Sequence, residues 1–258
     1  CHSDLEDLEL VAVRAERQLE VHDRLERRLR RVDRVVQRQH HANVVAGADT
    51  ARFSPNGDGR LDTMRVTASF SETVTWTLEV RNAANSVVRT ITGSASVIPG
   101  SSTTPLVTIV WDGRNAAGAV VANGAYTWRL TARDAALNQA STAAVPVTVD
   151  TAAPQVTSLT ASRPDFRPAR GESVTFTLGV SEGATASLEI RNAAGTVVRT
   201  LGPASRTTGG TLNFVWNGRN AAGAVVTNGN YTARSAAVVD LAGNAASNVR
   251  TTTVTVRS

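Results

Sequence analysis

The sequence predicts an all-β chain: two tandem antiparallel β-sandwiches preceded by an N-terminal amphipathic helix. Three observations carry that prediction. A sixteen-residue block occurs twice, WDGRNAAGAVVANGAY at 111–126 and WNGRNAAGAVVTNGNY at 216–231, with thirteen positions identical. From residue 46 onward, short runs rich in Val, Thr and Leu alternate with Asn, Gly and Pro, the pattern of short strands joined by turns. Residues 5–38, in contrast, contain no Gly or Pro and are rich in Leu, Glu and Arg. The chain therefore divides into a leader at 1–45, a first module at 46–150 and a second at 151–258.

In the leader, Leu8, Val11, Ala15, Leu25, Leu29, Val32 and Val36 fall at three- and four-residue steps. That spacing makes an apolar seam on one helix face, interrupted by Gln18 and His22, with Glu and Arg on the solvated faces. Arg-rich helical text is also what a shifted frame of a GC-rich gene yields, so the leader is read either as a native helix or as a segment foreign to the modules.

In the first module, strands are expected at 63–70, 73–81, 86–92, 105–111, 125–133 and 144–149. The alternation of Val74, Trp76, Leu78 and Val80 gives one of them a buried face. The Asn-Gly at 123–124 tolerates the positive φ of a tight turn and marks a chain reversal. Pro154, the last residue of the joint at 149–154, is compatible with an edge strand and not a central one. The second series is expected at 155–161, 173–180, 185–191, 196–201, 211–216, 230–239 and 249–257. The likeness reaches beyond the opening block. LEVRNAANSVVRT at 78–90 matches LEIRNAAGTVVRT at 188–200 at ten of thirteen positions. Ser71-Glu72 recurs as Ser181-Glu182, and Asp134 with Asn138 recurs as Asp240 with Asn244.

Composition excludes several classes of function. All 27 basic residues are Arg, which reads as coding bias. The net charge of +5 lies wholly in the second module, where ten Arg face five acids. Those Arg are scattered singly through strands and turns, without a basic run or a stacking aromatic series, so no nucleic-acid partner is expected. No apolar run approaches the roughly 20 residues of a membrane-spanning helix. All four His and the single Cys lie within the first 41 residues, so neither module holds a His, Cys or Lys. Zinc chemistry and nucleophilic catalysis that draws on His, Cys or Lys lack their residues there, which leaves carboxylate chemistry alone. With its acids spread over turns and strand edges, the chain is expected not to be an enzyme. Cys1 cannot form an intrachain disulfide. A chain that starts at Cys without Met is read as a fragment or a processed product. The alternative for Cys1 is the lipid-bearing residue of a bacterial lipoprotein.

The block W-[DN]-G-R-N-x-x-G-x-x-V-x-N-G-x-Y resembles the immunoglobulin-like domain of the bacterial flagellar hook-capping protein. The match is carried by Trp111 or Trp216, the following Gly-Arg, Gly118 or Gly223, and Tyr126 or Tyr231, and it covers about 46–258. Phe53-Ser54-Pro55-Asn56-Gly57-Asp58-Gly59 is similar to the entry segment of bacterial surface immunoglobulin-like modules. The resemblance implies two tandem Ig-like β-sandwiches, of a kind found near the C-termini of secreted and surface proteins of bacteria. The hook-capping protein carries a second small β domain that this chain lacks.

The best candidate site is Asn56 to Asp62. Oxygen side chains at alternating positions with Gly between them are how a short loop wraps calcium. Asn56, Asp58 and Asp62 would supply side-chain oxygens, Arg60 its carbonyl, and Asp134 a remote carboxylate. The other reading is a turn in which Asn and Asp bond their own backbone. In the second module Phe166-Arg167-Pro168-Ala169-Arg170-Gly171-Glu172 keeps the Phe and Pro and loses the oxygens, so calcium would bind only in the first. Trp111, Tyr126, Trp216 and Tyr231 are expected in the cores. Trp76 and Trp128, which face Ala186 and Ala233 in the second module's alignment, are the candidate ligand patch. The expected role is a non-catalytic extracellular or cell-surface spacer within a larger secreted bacterial protein, partnered by that protein's other domains. One alternative is an accessory module binding polysaccharide or cell wall for a secreted hydrolase. The other is a hook-cap-like assembly subunit. An exposed aromatic strip would favour the binding module, and burial of all four Trp the spacer.

Overall fold

The computed structural model describes residues 24–28, 43–97 and 106–258. Of the expected leader helix, only 24–28 fall within that range, and they are helical. The rest of that helix lies outside the described residues.

The first module contains β1 (Val44–Ala48), β2 (Arg52–Phe53), β3 (Met64–Phe70), β4 (Val74–Asn82), β5 (Val87–Ala95), β6 (Leu106–Trp111), β7 (Gly124–Arg133), β8 (Gln139–Ser141) and β9 (Val145–Val149). One sheet has the order β1-β3-β6, and the facing sheet β2-β9-β7-β4-β5 with β8 added to β7. The second module repeats the plan with β10 (Val156–Ala161), β11 (Asp165–Phe166), β12 (Val174–Val180), β13 (Ala184–Arg191), β14 (Val197–Arg206), β15 (Gly210–Trp216), β16 (Gly229–Asp240) and β17 (Thr251–Val256). Its sheets run β10-β12-β15 and β11-β17-β16-β13-β14. The long ladders are antiparallel, as expected. The departures are β2 on β9 and β11 on β17, two-residue pairs that run parallel.

Every strand expected from the sequence is present. The sequence reading missed β1, β2, β8 and β11, which are short or begin in Gly- and Ala-rich text with little alternation. It also ended β14 at 201, where Gly202-Pro203 reads as a breaker. The strand runs on to Arg206 because it is the edge of its sheet and a register shift near Ala186 absorbs the pair. An edge strand needs no ladder donor on its outer side, so Pro is tolerated there.

Between the two sheets of each module lies one core, and the cores are filled differently. The two aromatics expected to form a ligand patch are inside: Trp76 is 8% exposed and Trp128 1%. They share the inward face of β4 and β7 with Leu78, Val80 and Leu130. The alternation that buries Val74 must bury Trp76 as well, since side chains two apart on a strand point the same way. The facing sheet contributes the smaller Val66 and Ile109 to the same core. In the second module Ala186 and Ala233 take the Trp positions, and Phe176 and Phe214 take those of Val66 and Ile109. Bulk has moved from one sheet to the other, as expected of close-packed interiors built on one plan.

Candidate functional site

The repeated block has a structural job in each module. Trp111 donates its indole N–H to the Arg114 carbonyl at 3.0 Å and packs edge-on against Phe53 and Tyr126. Trp216 donates likewise to the Arg219 carbonyl and packs edge-on against Phe166 and at a tilt against Tyr231. Tyr126 donates its hydroxyl to the Ala122 carbonyl and Tyr231 to that of Thr227, each at 2.8 Å, which pins the Asn-Gly hairpin. Burial pushes the Tyr126 phenol above its ordinary value. Gly113 holds a positive φ and lies under Pro55, so close that a Cβ there would come within 2.5 Å of the proline ring. The Arg side chains that recur in both modules act as staples: Arg114 and Arg219 donate to the carbonyls of Gly118 and Gly223, and Arg89 and Arg199 to those of Asn115 and Asn220.

The Asn56–Asp62 loop closes on itself. Asn56 Oδ1 accepts from the Asp58 N–H, and Asp58 Oδ1 from the Arg60 N–H. Asp62 accepts from the amides of Gly57 and Gly59, each at 2.7 Å. These oxygens face the loop's own backbone, which is the turn reading. Asp134 is not at the loop. Phe53, Val149 and Gly124 share one end of the first module through their pairing, while Asp134 follows Arg133 at the other end of β7. Ten residues at about 3.3 Å per residue put it about 30 Å away, out of reach as a ligand.

What the loop does meet is the second module. The turn after β16 carries Asn244, which is 2% exposed. Its Oδ1 accepts from the Ser54 hydroxyl and from Asn56 Nδ2, and its Nδ2 donates to the Asp150 carbonyl and to Asp240 Oδ2. One side-chain amide thus saturates its hydrogen-bonding capacity, three of the four bonds reaching the first module or its last residue. Gly243, at φ +96, lets the turn approach closely: a Cβ there would stand 3.2 Å from the Arg60 carbonyl oxygen. Leu241 on the same turn closes one side of a groove of about 470 Å³ along Arg52 and Thr148. The linker is held as well, with Thr151 donating both its N–H and its hydroxyl to Asn123 Oδ1.

Three carboxylates gather beside this network. Oxygens of Asp150, Glu182 and Asp240 lie within 4.8 Å of one another. Asp240 is buried and accepts from the amides of Ala242 and Asn244. Glu182 is half-buried, and its carboxyl is pushed up by burial first, then by the charges of Asp150 and Asp240, with Arg52 acting in the opposite direction.

The sequence reading did not single out Ser54, Asp150, Glu182, Asp240 or Asn244 as a site. The recurrence of Ser-Glu and of Asp with Asn in both modules was visible. That the second module's copies meet the first module's entry loop was not.

No helix among the described residues is long and apolar enough to cross a membrane. The fold and its repeated turns define a pair of immunoglobulin-like β-sandwich modules. The profile of the FlgD Ig-like domain matches residues 52–136 and 164–240, more than half of the chain, and the chain belongs to that family. No curated protein matches it. Among solved structures, it is similar to the fibronectin(III)-like modules of Clostridium thermocellum CbhA, with 16% identity, 82% of this chain and 93% of that one covered, and a TM-score of 0.38. Dimeric latent PorU from Porphyromonas gingivalis matches at 16% identity over 84% of this chain and 20% of that one, with a TM-score of 0.33. Trypsin-activated alpha-2-macroglobulin from Escherichia coli matches at 13% identity over 84% and 15%, with a TM-score of 0.29. This chain thus spans a small part of the last two.

Proposed function

We propose that this chain is a non-catalytic spacer within a secreted or surface-attached bacterial protein. In this reading the joint holds the second module at a set angle to the first and so fixes the distance between the parts it connects. The observation that carries the reading is the Asn244 amide, buried between the modules with its four bonds made. A flexible tether needs no such contact, and a buried amide whose bonds are all made sets one geometry. The absence of His, Cys and Lys from both modules supports the non-catalytic part. The extracellular setting rests on the resemblance to modules of secreted and surface proteins. Burial of Trp76, Trp111, Trp128 and Trp216, each at 8% exposure or less, speaks against a polysaccharide-binding strip.

Small-angle scattering of the full chain beside Asn244→Ala, both in mild acid, tests the proposal. The parent is expected to scatter as one extended rigid particle and the variant as a hinged pair with a broader distance distribution. Identical profiles would sink the reading. Retention of the parent on insoluble polysaccharide would favour the binding module instead.

A further inference from the structure

The carboxylates of Asp150 and Glu182 take no part in the hydrogen bonding that fixes the joint, while that of Asp240 orients Asn244 from within the second module. Asp150 ends the first module, Glu182 lies in the turn between β12 and β13, and Asp240 ends β16. The cluster therefore spans the contact between modules, and three ionised carboxylates within 4.8 Å repel one another. Among the described residues none of the three is in an ion pair; the Arg–acid pairs involve other acids. The cation that bears on Glu182 is Arg52 of β2, which stands beyond ion-pair distance. On its other side Glu182 meets the hairpin between β14 and β15, which approaches through the backbones of Thr207 and Gly209. The Arg of that hairpin, Arg206, is turned to the carbonyls of Thr208 and Thr211. Asp150 accepts from the Ala152 N–H and Asp240 from its own turn. Among the described residues no donor serves Glu182.

We propose that the Asp150–Glu182–Asp240 trio makes the joint a proton-operated latch, loosened at neutral to alkaline pH and tightened in mild acid. The latch rests on the spacer reading and adds a control to it. Its sign follows from Glu182. In the docked joint the Glu182 carboxyl sits above its ordinary value of 4.5. An undocked joint keeps Asp240 beside it within the second module but removes Asp150 and the burial that the first module supplies, together with Arg52, the smallest of the four influences. The docked state therefore holds the proton more tightly. Docking gains from it fully below the ordinary value and loses that gain as pH rises through the raised one. A protonated Glu182 also acquires an O–H that a neighbouring carboxylate can accept.

The test uses the full chain with Cys1→Ser, spin labels on Thr90→Cys and Thr200→Cys at exposed positions of the two modules, and a chelator throughout. The inter-label distance distribution is read at about pH 8 and at about pH 4, the latter below the ordinary carboxyl value where the docking gain is full. The width is expected to fall by about half in acid. Glu182→Gln, which keeps the shape and removes the charge, is expected to be narrow at both pH values. Asp165→Asn, at the far end of the second module, is expected to follow the parent. A parent that is narrow at both pH values overturns the latch and leaves the spacer standing. One that is broad at both overturns the two together. A Glu182→Gln variant that keeps the parent's pH response also overturns the latch.

Discussion

Replacing Asn244 with Ala should separate the two modules without unfolding either. The amide makes three bonds across the joint, to Ser54, Asn56 and the Asp150 carbonyl, and one inside the second module to Asp240. At about 1 kcal/mol net for each, the three contribute about 3 kcal/mol to docking. That changes the open-to-docked ratio by a factor of about 150. The buried Ser54 hydroxyl and the Asp150 carbonyl are left without their partner, which pushes the loss upward. The fourth bond complicates the variant, because its removal also costs the second module about 1 kcal/mol of its own stability. Ser54→Ala resolves this, since among the described residues the hydrogen bond of Ser54 to the second module is the one to Asn244 Oδ1. Calorimetric melting of the parent, both single variants and the double variant closes a thermodynamic cycle. The expected coupling is about 1 kcal/mol, and a value within about 0.3 kcal/mol of zero would refute the assignment of Asn244 to the joint.

Trp128→Ala should lower the melting of the first module alone, by about 3–5 kcal/mol, through the cavity it leaves. Trp128→Phe should cost far less, because the buried indole N–H of Trp128 has no hydrogen-bond partner to lose. Asp62→Ala should cost the first module about 1–2 kcal/mol by freeing the Gly57 and Gly59 amides. Calcium should leave the parent's melting unmoved, and a calcium-dependent rise that Asp58→Ala abolishes would restore the metal reading of that loop. The Tyr126 phenol, held above its ordinary 10.0 by burial, stabilises the first module fully below that value and loses the contribution as pH rises through the raised one. The phenolate absorbance that Tyr126→Phe removes should therefore appear together with melting of the first module.

The repeat carried most of the fold because a repeated block fixes local geometry twice. Asn-Gly turns, Trp-ended strands and Asn-Ala-Ala tips depend on residues within a few positions of one another, and these are the parts the structure matches. Contents of the core were less legible. Whether Trp128 faces ligand or interior depends on what stands across the sandwich, and the exchange of Trp76 and Trp128 for Phe176 and Phe214 is compensated between strands distant in sequence.

The joint was least legible, for a related reason. A repeat draws the eye to what the copies share, whereas a contact between unlike ends of two copies is built from what they do not share. Ser54 and Asn56, which hold Asn244, are replaced in the second module by Arg167 and Ala169. In the other direction Gly243, which lets the turn close on Arg60, is replaced in the first module by Leu137, a 69% exposed side chain. The first module thus keeps the receiving loop and loses the glycine of the inserting turn, while the second keeps the turn and loses the loop. Each substitution alone looks like drift between copies of one module. Taken in pairs, they specify that this mode of docking forms once along the chain, between the first module's exit and the second module's entry.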